Sequence, residues 1–438
     1  MATPPLGRRE FLAASFAAPA AIAGVTALDP LERALQEAGT TAPEVLARDE
    51  LFWSRYQEAF AIDRSIRLLN HGGTCPCPSR VLAELQRLEH QINTAPHRQI
   101  YHVLAPQLET VREGLAADLG AHPDEIAIVR NSTEALEICQ WGLDLAAGDE
   151  VVTTTHDYPS MRNTWEQRKQ RHGIVVTYAT FKPPATLDEI FDAVTAKITA
   201  KTRVLHISHL TNLTGQLFPV RRLADFAHAR GIEVIVDGAH AYAHLPFQIG
   251  ELGCDYYATS LHKWLYAPVG TGMLWVRKEK LRKLWPLFGA PEPHAADARK
   301  LEHAGTGPIG AKLAIGEALR FHRALGVPRK LARLLLLRER WFAPLRGHKN
   351  VILYTPESPA LASGLATVGI RGVDPIVLAD HLWRTKRIVT APIVIEEVRG
   401  LRITPNICST LDEVDELGRE LLAVADRGLP PAAEPSTR

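Results

Sequence analysis

Val234-Ile235-Val236-Asp237-Gly238-Ala239-His240 and, a little further on, Asp255-Tyr256-Tyr257-Ala258-Thr259-Ser260-Leu261-His262-Lys263 are the stretches that decide the fold. Each carries a short run rich in β-branched or aromatic residues that ends in polar groups. That is the pattern of a buried strand delivering side chains to a pocket. One run ends in an acid, Asp237, and the next is followed by an amine, Lys263. Lysine is rarely buried without a reason, and a buried carboxylate is costly unless it is paired. The two are therefore read as parts of one site.

An amine and an acid at neighbouring strand ends suit pyridoxal 5′-phosphate (PLP). The lysine forms an imine with the cofactor aldehyde, and the carboxylate keeps the pyridine nitrogen protonated so that the ring acts as an electron sink. Asp237-Gly238-Ala239-His240, Ser260-Leu261-His262-Lys263 and Gly270-Thr271-Gly272 recur together in the order and spacing of a family signature. On these motifs the chain resembles the class V, fold-type I PLP-dependent aminotransferase family, which includes isopenicillin N epimerase-like proteins and cysteine desulfurases. The resemblance runs from about residue 69 to about residue 421.

The resemblance implies a role for each matching residue. Lys263 is the imine lysine and proton shuttle, Asp237 the partner of the ring nitrogen, and His240 a donor to the phenolate oxygen. Arg130-Asn131-Ser132-Thr133-Glu134-Ala135 resembles the family's phosphate loop, with Asn131 where relatives have glycine. Ser132 and Thr133 are thereby phosphate contacts, joined by Ser260 and His262. In Thr155-His156-Asp157-Tyr158-Pro159 the ring that stacks on the cofactor is Tyr158 or, second, His156. Asn212 matches the asparagine near the cofactor oxygen, and Arg402 the arginine that clamps a substrate carboxylate bidentately. Asn70 and His71, in Asn70-His71-Gly72-Gly73, line the substrate side. Thr306 reaches the phosphate of a neighbouring subunit, which implies a homodimer with shared sites.

One departure bears on the substrate. Where desulfurases carry a nucleophilic cysteine, this chain has Arg387-Ile388-Val389-Thr390-Ala391-Pro392-Ile393. Persulfide chemistry is not expected. An amino acid or peptide-like amine is the expected substrate, handled in an epimerase- or aminotransferase-like reaction, with a C–S lyase as the alternative. An exported solute-binding protein without catalysis is the alternative from another class.

The 438 residues are too many for one small core. The apolar content of 46% and charged content of 23% are ordinary for a globular protein. A net charge of +1 makes no electrostatic case for nucleic acid or an anionic membrane. Apolar runs at 126–129, 151–155, 174–179, 204–209, 234–236, 256–258 and 272–276 alternate with helical stretches. They predict an α/β fold, a seven-stranded mainly parallel sheet in a large domain with a small C-terminal α/β domain behind it. The expected division is a signal at 1–27, an N-terminal arm and helix at 28–75, the large domain at 76–300, an interdomain helix and the small C-terminal domain at 301–429 and a disordered tail at 430–438.

Arg8-Arg9, then Phe11-Leu12 and a weakly apolar run ending Ala21-Ile22-Ala23, resembles a twin-arginine export signal. The periplasm is the expected location and the twin-arginine machinery an expected partner. No later stretch is long enough to span a bilayer. The five cysteines, Cys75, Cys77, Cys139, Cys254 and Cys408, read as small buried hydrophobes. His240 and His244 have the spacing of a helical metal pair, but no third ligand with zinc spacing accompanies them, so no metal is assigned.

Overall fold

The computed structural model describes residues 30–429. The expected signal at 1–27 and tail at 430–438 lie outside them. Seven strands form the central sheet: β2 (Ile126–Val129), β3 (Glu150–Thr154), β4 (Val175–Ala179), β5 (Thr202–Ser208), β6 (Glu233–Asp237), β7 (Tyr256–Ser260) and β8 (Gly272–Val276). Their order is β2-β8-β7-β6-β5-β3-β4. All neighbours are parallel except β8, which runs antiparallel to both β2 and β7.

Strict side-chain alternation explains the near-continuous apolar runs, because both faces of the sheet are covered. Ile126, Ile128, Val234, Val236, Tyr257 and Met273 fill the core on one face. Ala127, Val129, Ile235, Tyr256, Ala258 and Leu274 fill the core on the other. The second face is covered by the helices Ser132–Gly142 and Pro159–His172, which contribute Ile138, Met161 and Trp165.

The second unit has the antiparallel strands β9 (Val351–Leu353), β10 (Ala366–Ile370), β12 (Ala391–Val394) and β13 (Arg399–Ile403), ordered β12-β13-β10-β9. Helices Val327–Phe342, Pro375–Lys386 and Leu411–Arg427 share its core. A two-residue parallel pair, β1 (Arg67–Leu68) with β11 (Ile388–Val389), ties the chain entering the large sheet to this unit. Upstream, the helices Pro30–Ala38, Pro43–Leu46 and Glu50–Glu58 bury Phe52, Trp53 and Tyr56 against Tyr266, Phe321 and Cys408. Among the described residues no helix is long and apolar enough to cross a membrane.

Two local features show packing overriding local pattern. Ser79 opens a helix, Ser79–Thr94, but does not cap it: its amide donates to the Ala59 carbonyl at 2.7 Å, and Pro78 holds the cap position. The helix after β8 is a single turn, Lys278–Leu281. Beyond it the Trp285 amide donates to the Gly142 carbonyl at 3.1 Å, so tertiary packing redirects the chain.

Gly238 has a steric reason. A Cβ there would lie 2.0 Å from Cζ of the fully buried Tyr257. Gly238→Ala is therefore expected to lower stability by about 1–3 kcal/mol through overpacking, read as a reduced thermal midpoint. An unchanged midpoint would contradict this packing.

Candidate active site

The parallel strands β5, β6 and β7 end together, and the turns beyond their carboxyl ends surround a cavity of about 290 Å³. This is where open α/β sheets collect ligands. Ser132, Thr133, Tyr158, Asn212, Asp237, His240, Ser260, His262, Lys263 and Arg402 all line it. So do Gly72, Gly73, Asn131 and Ala239, which carried no assigned role.

Asp237 closes β6 and receives the Ala239 amide at 2.9 Å. Burial pushes its carboxyl up to about 6, opposed by that hydrogen bond and by the charge of Lys263. Lys263 lies in the turn after β7, with its Nζ 3.2 Å from His240 Nε2. Burial pushes its ammonium down to about 8, against the pull of Asp237 and with help from Arg402. Burial, then the nearby cations Lys263 and Arg402, hold His240 well below the usual imidazole range. Its ring is neutral at neutral pH, and its buried Nδ1 has no partner.

The turn that carries Lys263 is held from below. Tyr266 adopts φ +65°, a region unfavourable for a bulky residue. Its hydroxyl donates to Asn406 Oδ1 at 2.8 Å, and the buried Lys330 sits 4.5 Å from its ring centre while donating to the Trp264 carbonyl at 2.6 Å.

At the opposite wall the helix Ser132–Gly142 points its N-terminus into the cavity. Asn131, not Ser132 or Thr133, is its cap: Oδ1 accepts the Glu134 amide at 2.8 Å. The Ser260 hydroxyl accepts the Ser132 amide at 3.0 Å and donates to the Ser132 hydroxyl at 2.9 Å, joining the two hydroxyl-bearing segments. Gly272 lets β8 approach this loop, since a Cβ there would meet Asn131 Cα at 2.5 Å. Hydroxyls at the positive end of a helix dipole make an anion site.

Arg402, near the end of β13, is 8% exposed and has no carboxylate partner among the described residues. Nη2 donates to Asn70 Oδ1 at 2.9 Å, Nη1 to the Asn212 carbonyl at 3.2 Å, and Nε to nothing. Burial pushes its guanidinium down to about 10.

Four candidates do not line the cavity. His156 is fully buried, its ring stacked 4.1 Å from Phe181, with Nε2 3.1 Å from the Phe181 carbonyl. Tyr158 is the aromatic residue at the cavity, and it is 43% exposed. His71 turns away, with its Nε2 3.6 Å from Cys408 Sγ. Asn70 meets the cavity only through Arg402. Thr306 is exposed, its hydroxyl 2.6 Å from that of Tyr101. His244 does not pair with His240 as a ligand: its Nδ1 is 2.9 Å from the His240 carbonyl, its Nε2 accepts the Gly364 amide, and its ring stacks on Trp264.

The sequence reading missed Asp157, which lies 2% exposed behind the cavity. Its carboxylate accepts from the hydroxyls of Thr153, Thr154 and Ser208, each at 2.8 Å, and so binds β3 to β5. Three hydroxyls around one acid just past a strand end were the available signal.

The family profile of class-V aminotransferases matches residues 67–391. The chain belongs to the class-V aminotransferase family. It is a PLP enzyme with the fold-type I architecture. The chain is 31% identical to isopenicillin N epimerase of Streptomyces clavuligerus over 85% of its own length and 98% of that protein's. It is 30% identical to a cysteine desulfurase of Klebsiella pneumoniae over 60% of its length and 68% of that protein's. Among solved structures, a C-DES mutant with glycine covalently linked to its PLP cofactor superposes with TM-score 0.74 at 20% identity, covering 83% of this chain and 98% of that one. The site fits the family's cofactor on its own geometry. It has an anion cradle, an acid with a raised pKa, an amine with a lowered one, and a buried imidazole nitrogen without a partner.

Proposed function

We propose that this class-V aminotransferase acts at Cα of an amino acid or peptide-like amine, as an epimerase or aminotransferase, working as a homodimer in the periplasm after twin-arginine export. One observation carries the reading: a buried, unpaired Arg402 faces the same small cavity as the amine of Lys263. A carboxylate held by the first puts the amino-bearing carbon within reach of the second.

Bound PLP supplies an aldehyde for covalent attachment and a ring that accepts the electron pair released at Cα. Ser132, Thr133, Ser260 and His262 would hold its phosphate, Asp237 its ring nitrogen, Tyr158 its ring face, and Asn212 and His240 its ring oxygen. Asp237 titrates near 6, so at neutral pH it is the anion that a protonated ring nitrogen requires. Lys263, with its lowered pKa, takes and returns a proton at Cα. The neutral His240 ring, its Nε2 3.2 Å from Nζ, keeps that amine aimed into the cavity.

Among the described residues no cysteine lines the cavity, which argues against an enzyme thiol as sulfur acceptor. The epimerase-like relative also matches along nearly its whole length, whereas the desulfurase relative matches over 68% of its own. Exposed Thr306 and Tyr101 support a second copy against this surface, with Thr306 completing the neighbour's phosphate site.

The test is a screen of L- and D-amino acids and short peptides for α-proton exchange in deuterated water, with keto-acid and sulfide release measured in parallel. Exchange with stereochemical inversion or keto-acid formation is expected. Sulfide release without exchange would make the enzyme a C–S lyase.

A pH profile follows from the same groups. The neutral fraction of an amine with pKa about 8 rises about tenfold from about pH 7 to about pH 9. Capture of free PLP by the apoprotein should accelerate accordingly, and weaken below about pH 6 as Asp237 takes up its proton. Stopped-flow absorbance reads this, and a flat profile would contradict it.

A further inference from the structure

His71, Cys75 and Cys408 meet behind the cavity, and the mechanism uses none of them. Their ligand atoms all lie within 4.8 Å of one another, and the three residues are 1%, 1% and 0% exposed. The distance from His71 Nε2 to Cys408 Sγ is 3.6 Å. Tetrahedral zinc with Zn–S of about 2.3 Å and Zn–N of about 2.05 Å separates nitrogen and sulfur by about 3.6 Å. From these observations we propose that His71, Cys75 and Cys408 bind a structural zinc ion, or another soft thiophilic cation.

The imidazole supports this on its own account. His71 Nδ1 has no partner, and Nε2 meets only Cys408 Sγ and the Ser409 hydroxyl, the latter at 3.5 Å. The oxygen contact is long for a buried ring nitrogen, and the thiol is only a weak hydrogen-bond partner. An ion between the ring and the two sulfurs would satisfy Nε2, and the Ser409 hydroxyl lies 3.5 Å from that nitrogen.

Polar groups also meet the sulfur-bearing segments. Asn406 Nδ2 donates to Cys75 Sγ at 3.5 Å, and its Oδ1 is fixed by the Tyr266 hydroxyl and the Ile407 amide. Arg64 donates to the Cys408 carbonyl at 2.8 Å. Binding exchanges two thiol protons for the metal, with no change of oxidation state.

The site would join two segments that shape the cavity. One carries Asn70, Gly72 and Gly73, and the other follows Arg402. The two already meet where the His71 amide donates to the Thr404 carbonyl at 3.1 Å and the Gly72 amide to the Thr404 hydroxyl at 2.8 Å. The ion would fix their register and with it the height of Arg402 above Lys263. The ligands are fully enclosed, so the metal would enter during folding.

Elemental analysis of holoenzyme grown with zinc is the test. About one zinc per chain is expected, falling at least about tenfold in the Cys75→Ser/Cys408→Ser variant. The visible band of bound PLP reports whether that variant is folded. If it does not fold, wild type is refolded with Co²⁺ in place of zinc, and a thiolate-to-cobalt charge-transfer band with tetrahedral d–d bands is expected. Wild type that holds no zinc and gives no cobalt bands would overturn the proposal. So would an intact mass lighter by two hydrogens under non-reducing conditions, which is a Cys75–Cys408 disulfide.

Discussion

Lys263→Ala is expected to abolish turnover while leaving a folded protein that still takes up PLP. The amine lies in the turn just past β7, beside a neutral imidazole and in the same cavity as a carboxylate, and no other lysine lines that cavity. Loss of a positioned general base alone costs about 10²–10⁴-fold, and the covalent anchor is lost with it. Borohydride treatment should fix the cofactor permanently to the wild-type peptide that carries Lys263. The variant should lose all cofactor on denaturation. The phosphate cradle is built from Ser132, Thr133 and Ser260, so cofactor uptake should survive, weakened. Small exogenous amines should restore part of the rate, more so at higher pH where they are unprotonated. Turnover within tenfold of wild type, or cofactor fixed at another lysine, would remove Lys263 from the mechanism.

The sheet was legible because a strand buried on both faces leaves a continuous apolar run. The strands at 126–129 and 272–276 lie where the pattern put them, and the others shift only by a residue or two at their ends. Those ends matter. β6 includes Asp237 and β7 includes Ser260, so the chemistry sits on the last residue of a rigid element.

What escaped the sequence was direction. His156 and Tyr158 are two residues apart, and only the stacking partner Phe181, on a different strand connection, decides which faces the cavity. His71 sits between Asn70 and Gly72, yet its ring points to Cys408, hundreds of residues away in sequence. No local pattern encodes such a meeting. The same holds for Glu397, beyond the tip of β12, whose Oε1 accepts from the Thr155 and Thr180 hydroxyls, both at 2.9 Å, and latches the small unit onto the large sheet.

Arg402 carries the second large effect. Burying a guanidinium without an anion is expensive, and its neighbours supply only the neutral acceptors Asn70 and Asn212. A substrate carboxylate would complete the pair, so its loss should be felt in binding. Arg402→Ala is expected to cost about 2–5 kcal/mol in kcat/KM, which is about 30- to 4,000-fold, chiefly through KM. Arg402→Lys should recover little, because a point charge cannot reproduce the planar fork. The decisive control is the α-amide of the same substrate. It lacks the anion, so it should react slowly with wild type and nearly as well with the alanine variant. Thermal stability should hold or rise in Arg402→Ala, since an uncompensated buried charge has been removed. Equal losses for acid and amide would instead mean that Arg402 braces Asn70 and the Asn212 turn, and the carboxylate would have to be held elsewhere in the cavity.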